Sequence, residues 1–216
     1  MRLHSTITSP YARKVWVVAH ETGLISKIDR IPTNPHADEY LRDDNPLCRV
    51  PTLVLADGST LFDSPVICEY LDSLHEGNKL FPPFGPERWS ALRLQALGDG
   101  MLDASLSRRM EVIRPATEQS PAWIERQIKG VNAACAWLEA RVQVLDGPTT
   151  IGHIAIGCAL GYLDLRFAGD PWRDRYPRVA DWYAIFEARP SMVSTRYDVL
   201  KETLPSSMLK EGPSRH

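Results

Sequence analysis

Three short segments near the start of the chain combine residue types and spacing that could do chemistry. In Ser9-Pro10-Tyr11-Ala12, a hydroxyl precedes a proline at a predicted helix start. Unpaired backbone N–H groups and the helix dipole at such an end stabilise an anion. A serine there could donate a hydrogen bond to a bound thiolate. In Asn45-Pro46-Leu47-Cys48-Arg49-Val50-Pro51-Thr52, a Val-Pro step leads into a strand. With Pro51 cis, the Val50 backbone would turn outward, and its N–H and C=O could pair with an extended peptide ligand as an added strand does. In Asp63-Ser64-Pro65, a carboxylate and a hydroxyl stand at another helix start. Ser64 and the free helical N–H groups suit a carboxylate, while Asp63 suits an ammonium. A ligand carrying both charges on one carbon, an α-amino acid end, satisfies the pair. Each segment also has a plainer use. Ser9, Asp63 and Ser64 can be helix caps ahead of a first-turn proline, and Val50-Pro51 an ordinary trans loop.

The elements around these segments must hold them. Arg2 to Ser5 reads as a strand. Pro10 to Thr22 reads as a helix with Tyr11, Val15, Val18 and Thr22 on one face, stopped by Gly23. Lys27 to Ile31 is a second strand closed by Pro32, and Asn34 to Asp44 is irregular with room for a short helix. Thr52 to Leu55 and Thr60 to Phe62 flank Asp57-Gly58, a hairpin, since Asp-Gly supplies the positive φ angles of a tight turn. Ser64 to His75 follows as a helix, giving the order β-α-β-α-β-β-α. The proline-rich stretch from Pro82 to Pro86 divides the chain into an α/β domain over 1–80, a linker over 81–88 and an all-helical domain over 89–216.

In the helical part, Trp89 to Ile113 is one long segment. Ile124, Ile128, Val131, Cys135, Leu138, Val142 and Leu145 recur at gaps alternating four and three, which predicts one helix running to Gly147-Pro148 with a bundle-packing seam. Thr150 to Phe167, apolar all round, is the buried central helix. Pro177 to Arg189 is amphipathic, and Pro205 to His216 reads as loose.

With 216 residues, 44% of them hydrophobic, a large core is available without disulfide or metal staples. The 25 basic and 27 acidic side chains are scattered, which argues against a nucleic-acid partner. The longest uncharged run, Gly147 to Leu163, is too short to span a bilayer comfortably, so no membrane partner is expected either. Cys48, Cys68, Cys135 and Cys158 show neither a disulfide framework nor zinc spacing, and no metal is expected. MRLHSTITSP lacks the apolar core of a signal peptide. Reduced thiols and a cytoplasmic location fit together.

SPYARKV, NPLCRVPTLV and FDSPVICEYLD, in that order ahead of a helical domain, resemble a cytosolic glutathione S-transferase, most closely the bacterial YibF-like branch. AIGCALGYLDLRF and YPRVADWYAIFEARPS are similar to later helices of that superfamily. The resemblance implies a thioredoxin-like N-terminal domain, an all-α C-terminal bundle, glutathione as co-substrate and a homodimer active in detoxification. It implies that Asp63 and Ser64 hold the γ-glutamyl end, that Val50 pairs with the cysteinyl backbone beside a cis Pro51, and that Ser9 meets the thiolate. Ser9-Pro10-Tyr11-Ala12 is also similar to the C-P-Y-C motif of glutaredoxins and the C-P-F-A motif of omega-type transferases, with serine replacing the nucleophilic cysteine. A serine forms no disulfide, so thiol–disulfide exchange through this position is lost. Activation of the substrate's own thiol remains, its pKa of about 8.5 falling beside a helix N-terminus. Ser5, Thr6 and Thr8 are nearby alternative donors.

The function implied is transfer of the glutathione thiol to a small electrophile. A glutathione-dependent lyase, isomerase or peroxidase would use the same site, and a non-catalytic binding module would keep the same fold. Met101, Ser105, Arg108 and Tyr197 are the residues offered for the second substrate, and Asp99 resembles an acidic residue that reaches the neighbouring subunit's glutathione. One departure stands out. The family opens its central helix with a Ser/Thr-x-x-Asp capping box, whereas this chain has Thr150-Ile151-Gly152-His153, which predicts a weakened or rearranged box.

Overall fold

The computed structural model describes residues 1–209. The described residues form two compact units, one built from Met1–Pro83 and residues 190–209, the other from Phe84–Arg189. In the first, strand β1 (Arg2–Ser5) runs parallel to β2 (Asp29–Pro32) and antiparallel to β3 (Thr52–Val54), which pairs antiparallel with β4 (Thr60–Leu61). The sheet order is β2-β1-β3-β4. A parallel pair needs a crossover, and helix α1 (Pro10–Glu21) supplies it. Between β3 and β4 the Asp57-Gly58 turn forms, with Gly58 at φ +86° and Asp57 Oδ1 accepting from Ser59 N at 2.9 Å. Helix α2 (Ser64–Ser73) closes the domain and packs against α1. The stretch 34–44 holds no α-helix. It carries a single 3-10 turn, Glu39–Asp43.

The second unit is helical: α3 (Gly85–Val112), α4 (Pro121–Glu139), α5 (Ile151–Arg166), α6 (Trp172–Arg175) and α7 (Pro177–Glu187). Every residue of α5 from Ile151 to Leu163 is buried, as its all-round apolarity predicts. Small residues let α3 approach it closely. A Cβ on Gly98 would stand 2.6 Å from the Ala155 backbone carbon, and one on Gly152 2.8 Å from the Ala91 carbonyl oxygen. The predicted continuous helix to Leu145 is interrupted. Helix α4 ends at Glu139, Arg141 turns out of helical geometry at φ −138°, ψ 36°, and Val142–Leu145 is a separate 3-10 turn. Leu145 is still buried, so the apolar spacing reports the core and not the continuity of the helix.

The chain then returns to the first unit as α8 (Pro190–Ser194) and α9 (Tyr197–Thr203), and the 3-10 turn Ser206–Met208 lies against β2. Helix α8 packs along α1. Arg13 Nη2 donates to the Met192 carbonyl at 3.1 Å, Ser194 Oγ meets His20 Nε2 at 3.2 Å, and Ser191 Oγ donates to Glu21. With α2 and α8 both packed on α1, Ala12, Trp16, Val17 and Ala19 are buried along with the predicted Val15 and Val18, and Val17 lies on the Arg13–His20 side that α8 covers.

Candidate functional site

The register of the sheet decides which loops meet. β1 ends at Ser5, and its His4 lies opposite Thr52, the first residue of β3. β4 ends at Leu61, which lies opposite Leu53 of β3. The chain leaving β1, entering β3 and leaving β4 therefore emerges at one end of the sheet. Those stretches carry Ser9, Val50-Pro51 and Asp63-Ser64, so all five residues singled out in the sequence come to that end. The N-termini of α1 and α2 open there too.

Ser9 is the N-cap of α1. Its backbone is extended, and its Oγ accepts the Ala12 N–H at 3.2 Å. The hydroxyl proton finds no acceptor among the described residues. The neighbouring hydroxyls are otherwise engaged. Ser5 Oγ accepts from Trp16 Nε1 at 3.4 Å and from Arg30 Nη1 at 3.2 Å, while Thr6 and Thr8 are buried with their hydroxyls 3.4 Å apart. Of the four, Ser9 is the one that is not buried. The Arg30 guanidinium, lying over the Trp16 ring at 4.2 Å, is pulled down to about 10 by burial.

The Val50–Pro51 peptide is cis, and Pro51 is buried. Neither the N–H nor the C=O of Val50 bonds a described residue. The loop is held from below by Asn45, which is 2% exposed. Its Nδ2 donates to the Arg49 carbonyl at 3.1 Å and to Thr52 Oγ1 at 3.0 Å, and its Oδ1 accepts from Leu47 N at 3.0 Å. One residue earlier, Asp44 meets His4 Nε2 at 2.9 Å, while His4 Nδ1 meets Thr33 Oγ1 at 2.9 Å. No sequence motif marks Asn45 or His4 as a support of this loop. The Asn-Pro step, which favours a side-chain-closed turn, was the available signal for Asn45. Nothing local marks His4, because its partners are 29 and 40 residues away.

Asp63 is the N-cap of α2, yet its exposed carboxylate makes no capping bond and no other hydrogen bond to a described residue. Ser64, the first residue of the helix, is 1% exposed, and its hydroxyl also has no partner among the described residues. The plainer use as a cap therefore holds for Ser9 and not for Asp63. A carboxylate left free beside a helix N-terminus, with a hydroxyl next to it, can take an ammonium and a carboxylate on adjacent atoms.

Among the residues offered for a second substrate, Met101 and Ser105 are buried, and Arg108 is committed to Asp170 at 3.2 Å. All four cysteines are buried and unbridged, and burial pushes the Cys135 thiol up to about 12. Among the described residues, no cluster of three or more His, Cys, Asp or Glu could hold a metal, and no helix is long and apolar enough to cross a membrane.

The glutathione S-transferase N-terminal domain family matches residues 8–74, and the glutathione S-transferase C-terminal domain family matches residues 121–184. The chain is 34% identical over 178 residues to the uncharacterized GST-like protein YibF of Escherichia coli K12, covering 80% of this chain and 86% of that relative. A crystal structure of a glutathione transferase family member from Pseudomonas fluorescens Pf-5, with bound glutathione, superposes with a TM-score of 0.87 at 41% identity, over 90% of this chain and 98% of that one. Another from the same organism, with bound S-(propanoic acid)-glutathione, gives 0.84 at 39% identity over 91% and 98%. This chain belongs to the glutathione S-transferase family.

Proposed function

We propose that the chain binds glutathione where the two helix N-termini meet and activates its thiol for attack on a small electrophile. The observation that carries the reading is the convergence of Ser9, Val50-Pro51 and Asp63-Ser64 at one end of the sheet. Each of these segments has polar groups without partners among the described residues. Glutathione offers the matching set: an α-amino acid end, a cysteinyl peptide unit and a thiol. Ser64 and the first N–H groups of α2 take the α-carboxylate, and Asp63 takes the ammonium. Val50 pairs with the cysteinyl backbone as an added strand would.

Ser9 donates its free proton to the sulfur, and the α1 dipole favours the thiolate. The thiol proton passes to water. The thiolate then forms a carbon–sulfur bond as the electrophile releases its leaving group or its π electrons. Catalysis in this scheme is thiolate stabilisation plus proximity, with no metal and no covalent enzyme intermediate. Serine in place of cysteine at position 9 favours conjugation over thiol–disulfide exchange. The relative with S-(propanoic acid)-glutathione bound supports the same chemistry, since that ligand is a thioether conjugate. A cytoplasmic homodimer with a role in detoxification completes the proposal.

Calorimetric titration with glutathione, followed by turnover against aryl halides, epoxides, activated alkenes and peroxides, tests it. Saturable binding with conjugate formation is expected. No binding heat and no retention on immobilised glutathione would overturn the reading, and turnover of peroxides alone would reassign the chain as a peroxidase.

A further inference from the structure

The loop that carries Val50 and Pro51 closes on one residue of another strand. At its far end Thr52 lies opposite His4 across β1 and β3. At its near end Asp44 Oδ2 accepts from His4 Nε2 at 2.9 Å, and that carboxylate has no other partner among the described residues. The His4 backbone thus faces one end of the loop while its imidazole grips the other. Across the mouth, Asn45 Nδ2 donates to Thr52 Oγ1 at 3.0 Å and ties the two ends together. The imidazole is itself fixed. His4 is 3% exposed, its Nδ1 lies 2.9 Å from Thr33 Oγ1, and Thr33 N donates to the Ser5 carbonyl at 3.0 Å. Asp44 is partly open to water, so without the imidazole its carboxylate turns to solvent and the near end of the loop is released.

Backbone groups already held in the bound geometry spare a ligand the cost of ordering them. We propose that His4 is a positioning residue for glutathione: by gripping Asp44 it keeps the Val50 N–H and C=O set for the cysteinyl backbone, and it touches no part of the ligand. The inference rests on the function proposed above.

Two amide variants separate this role from plain core packing. In His4→Gln the amide nitrogen falls near the place of Nε2 and still reaches Asp44. In His4→Asn it falls near Nδ1 and meets Thr33 alone. Each buries one amide and keeps one of the two bonds, so a role confined to stability would treat them alike. Calorimetric titration of the full-length proteins with glutathione is expected to give His4→Gln a Kd within about twofold of native and His4→Asn one weaker by about three- to tenfold. Asp44→Ala weakens binding by the same factor, and adding His4→Asn to it costs nothing more. Amide hydrogen exchange without ligand is the second measure. The Leu47 and Cys48 N–H groups, both bonded to Asn45, exchange faster in His4→Asn than in His4→Gln. Equal affinities in the two amide variants, equal exchange, or additive losses in the double variant overturn the proposal. Should the amide variants fail to fold, Asp44→Ala, at a partly exposed residue, decides, and native affinity there overturns it. A native protein that binds no glutathione overturns the function proposed above, while the exchange comparison still decides whether His4 holds the loop.

Discussion

His153 Nδ1 accepts the backbone N–H of Thr150 at 3.0 Å, and Thr150 Oγ1 lies 2.9 Å from the same nitrogen. The third residue of α5 reaches back to the N-cap, so the capping box is rearranged around an imidazole where a carboxylate is usual. Only a neutral ring with its proton on Nε2 can accept at Nδ1. Burial holds the His153 pKa below the ordinary 6.5; the Leu145 carbonyl pulls it up in part, and Arg189 lowers it again.

The first prediction follows from the sign of that shift. A group whose folded pKa is depressed contributes stability above its unfolded pKa and loses it as pH falls through the folded value. The native protein should therefore lose Tm between pH 7 and pH 5 by more than His153→Asp does, because aspartate stays ionised and keeps accepting over that range. The difference is worth about 0.5–2 kcal/mol, the range for a lost cap. Parallel Tm curves for the two proteins would show that the imidazole does not carry the box.

Ser9 is proposed to work twice, as cap and as donor, and two substitutions separate the roles. Ser9→Ala loses the bond from Ala12 N, costing about 0.5–2 kcal/mol of stability. It also loses the thiolate donor, which lowers turnover at neutral pH on the order of ten- to a hundredfold. Ser9→Asp keeps the cap but sets a negative charge against the thiolate, so stability is retained while turnover falls further. Raising the pH restores part of the Ser9→Ala rate. An Ser9→Ala protein with native turnover and an unchanged pH profile would move the donor to Thr8 or to a backbone N–H of α1.

Asp63→Ala with Ser64→Ala removes the groups proposed for the two charges of the γ-glutamyl end. Glutathione affinity by calorimetry should fall about tenfold or more. Because the Asp63 carboxylate bonds no described residue, the cost to Tm should be small. Native affinity in this double variant would place the α-amino acid end elsewhere.

Two glycines of α3 give a matched pair. Gly100 has open space where a Cβ would go, so Gly100→Ala should gain about 0.5–1 kcal/mol from helix propensity alone. At Gly98 a Cβ would stand 2.6 Å from the Ala155 backbone, so Gly98→Ala should cost about 1–3 kcal/mol through overpacking. Urea denaturation reads both, and equal effects would mean that α3 and α5 are not so closely packed.

Much of this was legible in the sequence because it is local. Proline at the first turns of α1, α2 and α4, the Asp57-Gly58 hairpin and the apolar Thr150–Phe167 run each locate an element. The proposed glutathione residues could be named because each lies in a short contiguous motif. What escaped depends on distant partners or on subtle backbone breaks. His4 with Asp44, Asn45 beneath the Val50 loop and the cover of α8 over α1 join residues whose proximity no periodicity encodes. The end of α4 at Glu139 was hidden because the 3-10 turn after it continues the apolar spacing.

The first unit is assembled from the two ends of the described chain, and this has a consequence for how the protein is made. A nascent chain that has emerged as far as Pro83 contains the whole sheet with α1 and α2, yet Arg13, His20 and Glu21 have no α8 to meet. The helical unit is contiguous from Phe84 to Arg189, so its sequence is complete before α8 leaves the ribosome. The usual N-terminal-first order of domain completion is thereby reversed. The unit that is begun first is finished last, and until Pro190–Ser194 has emerged the side of α1 that bears Arg13, His20 and Glu21 stays bare.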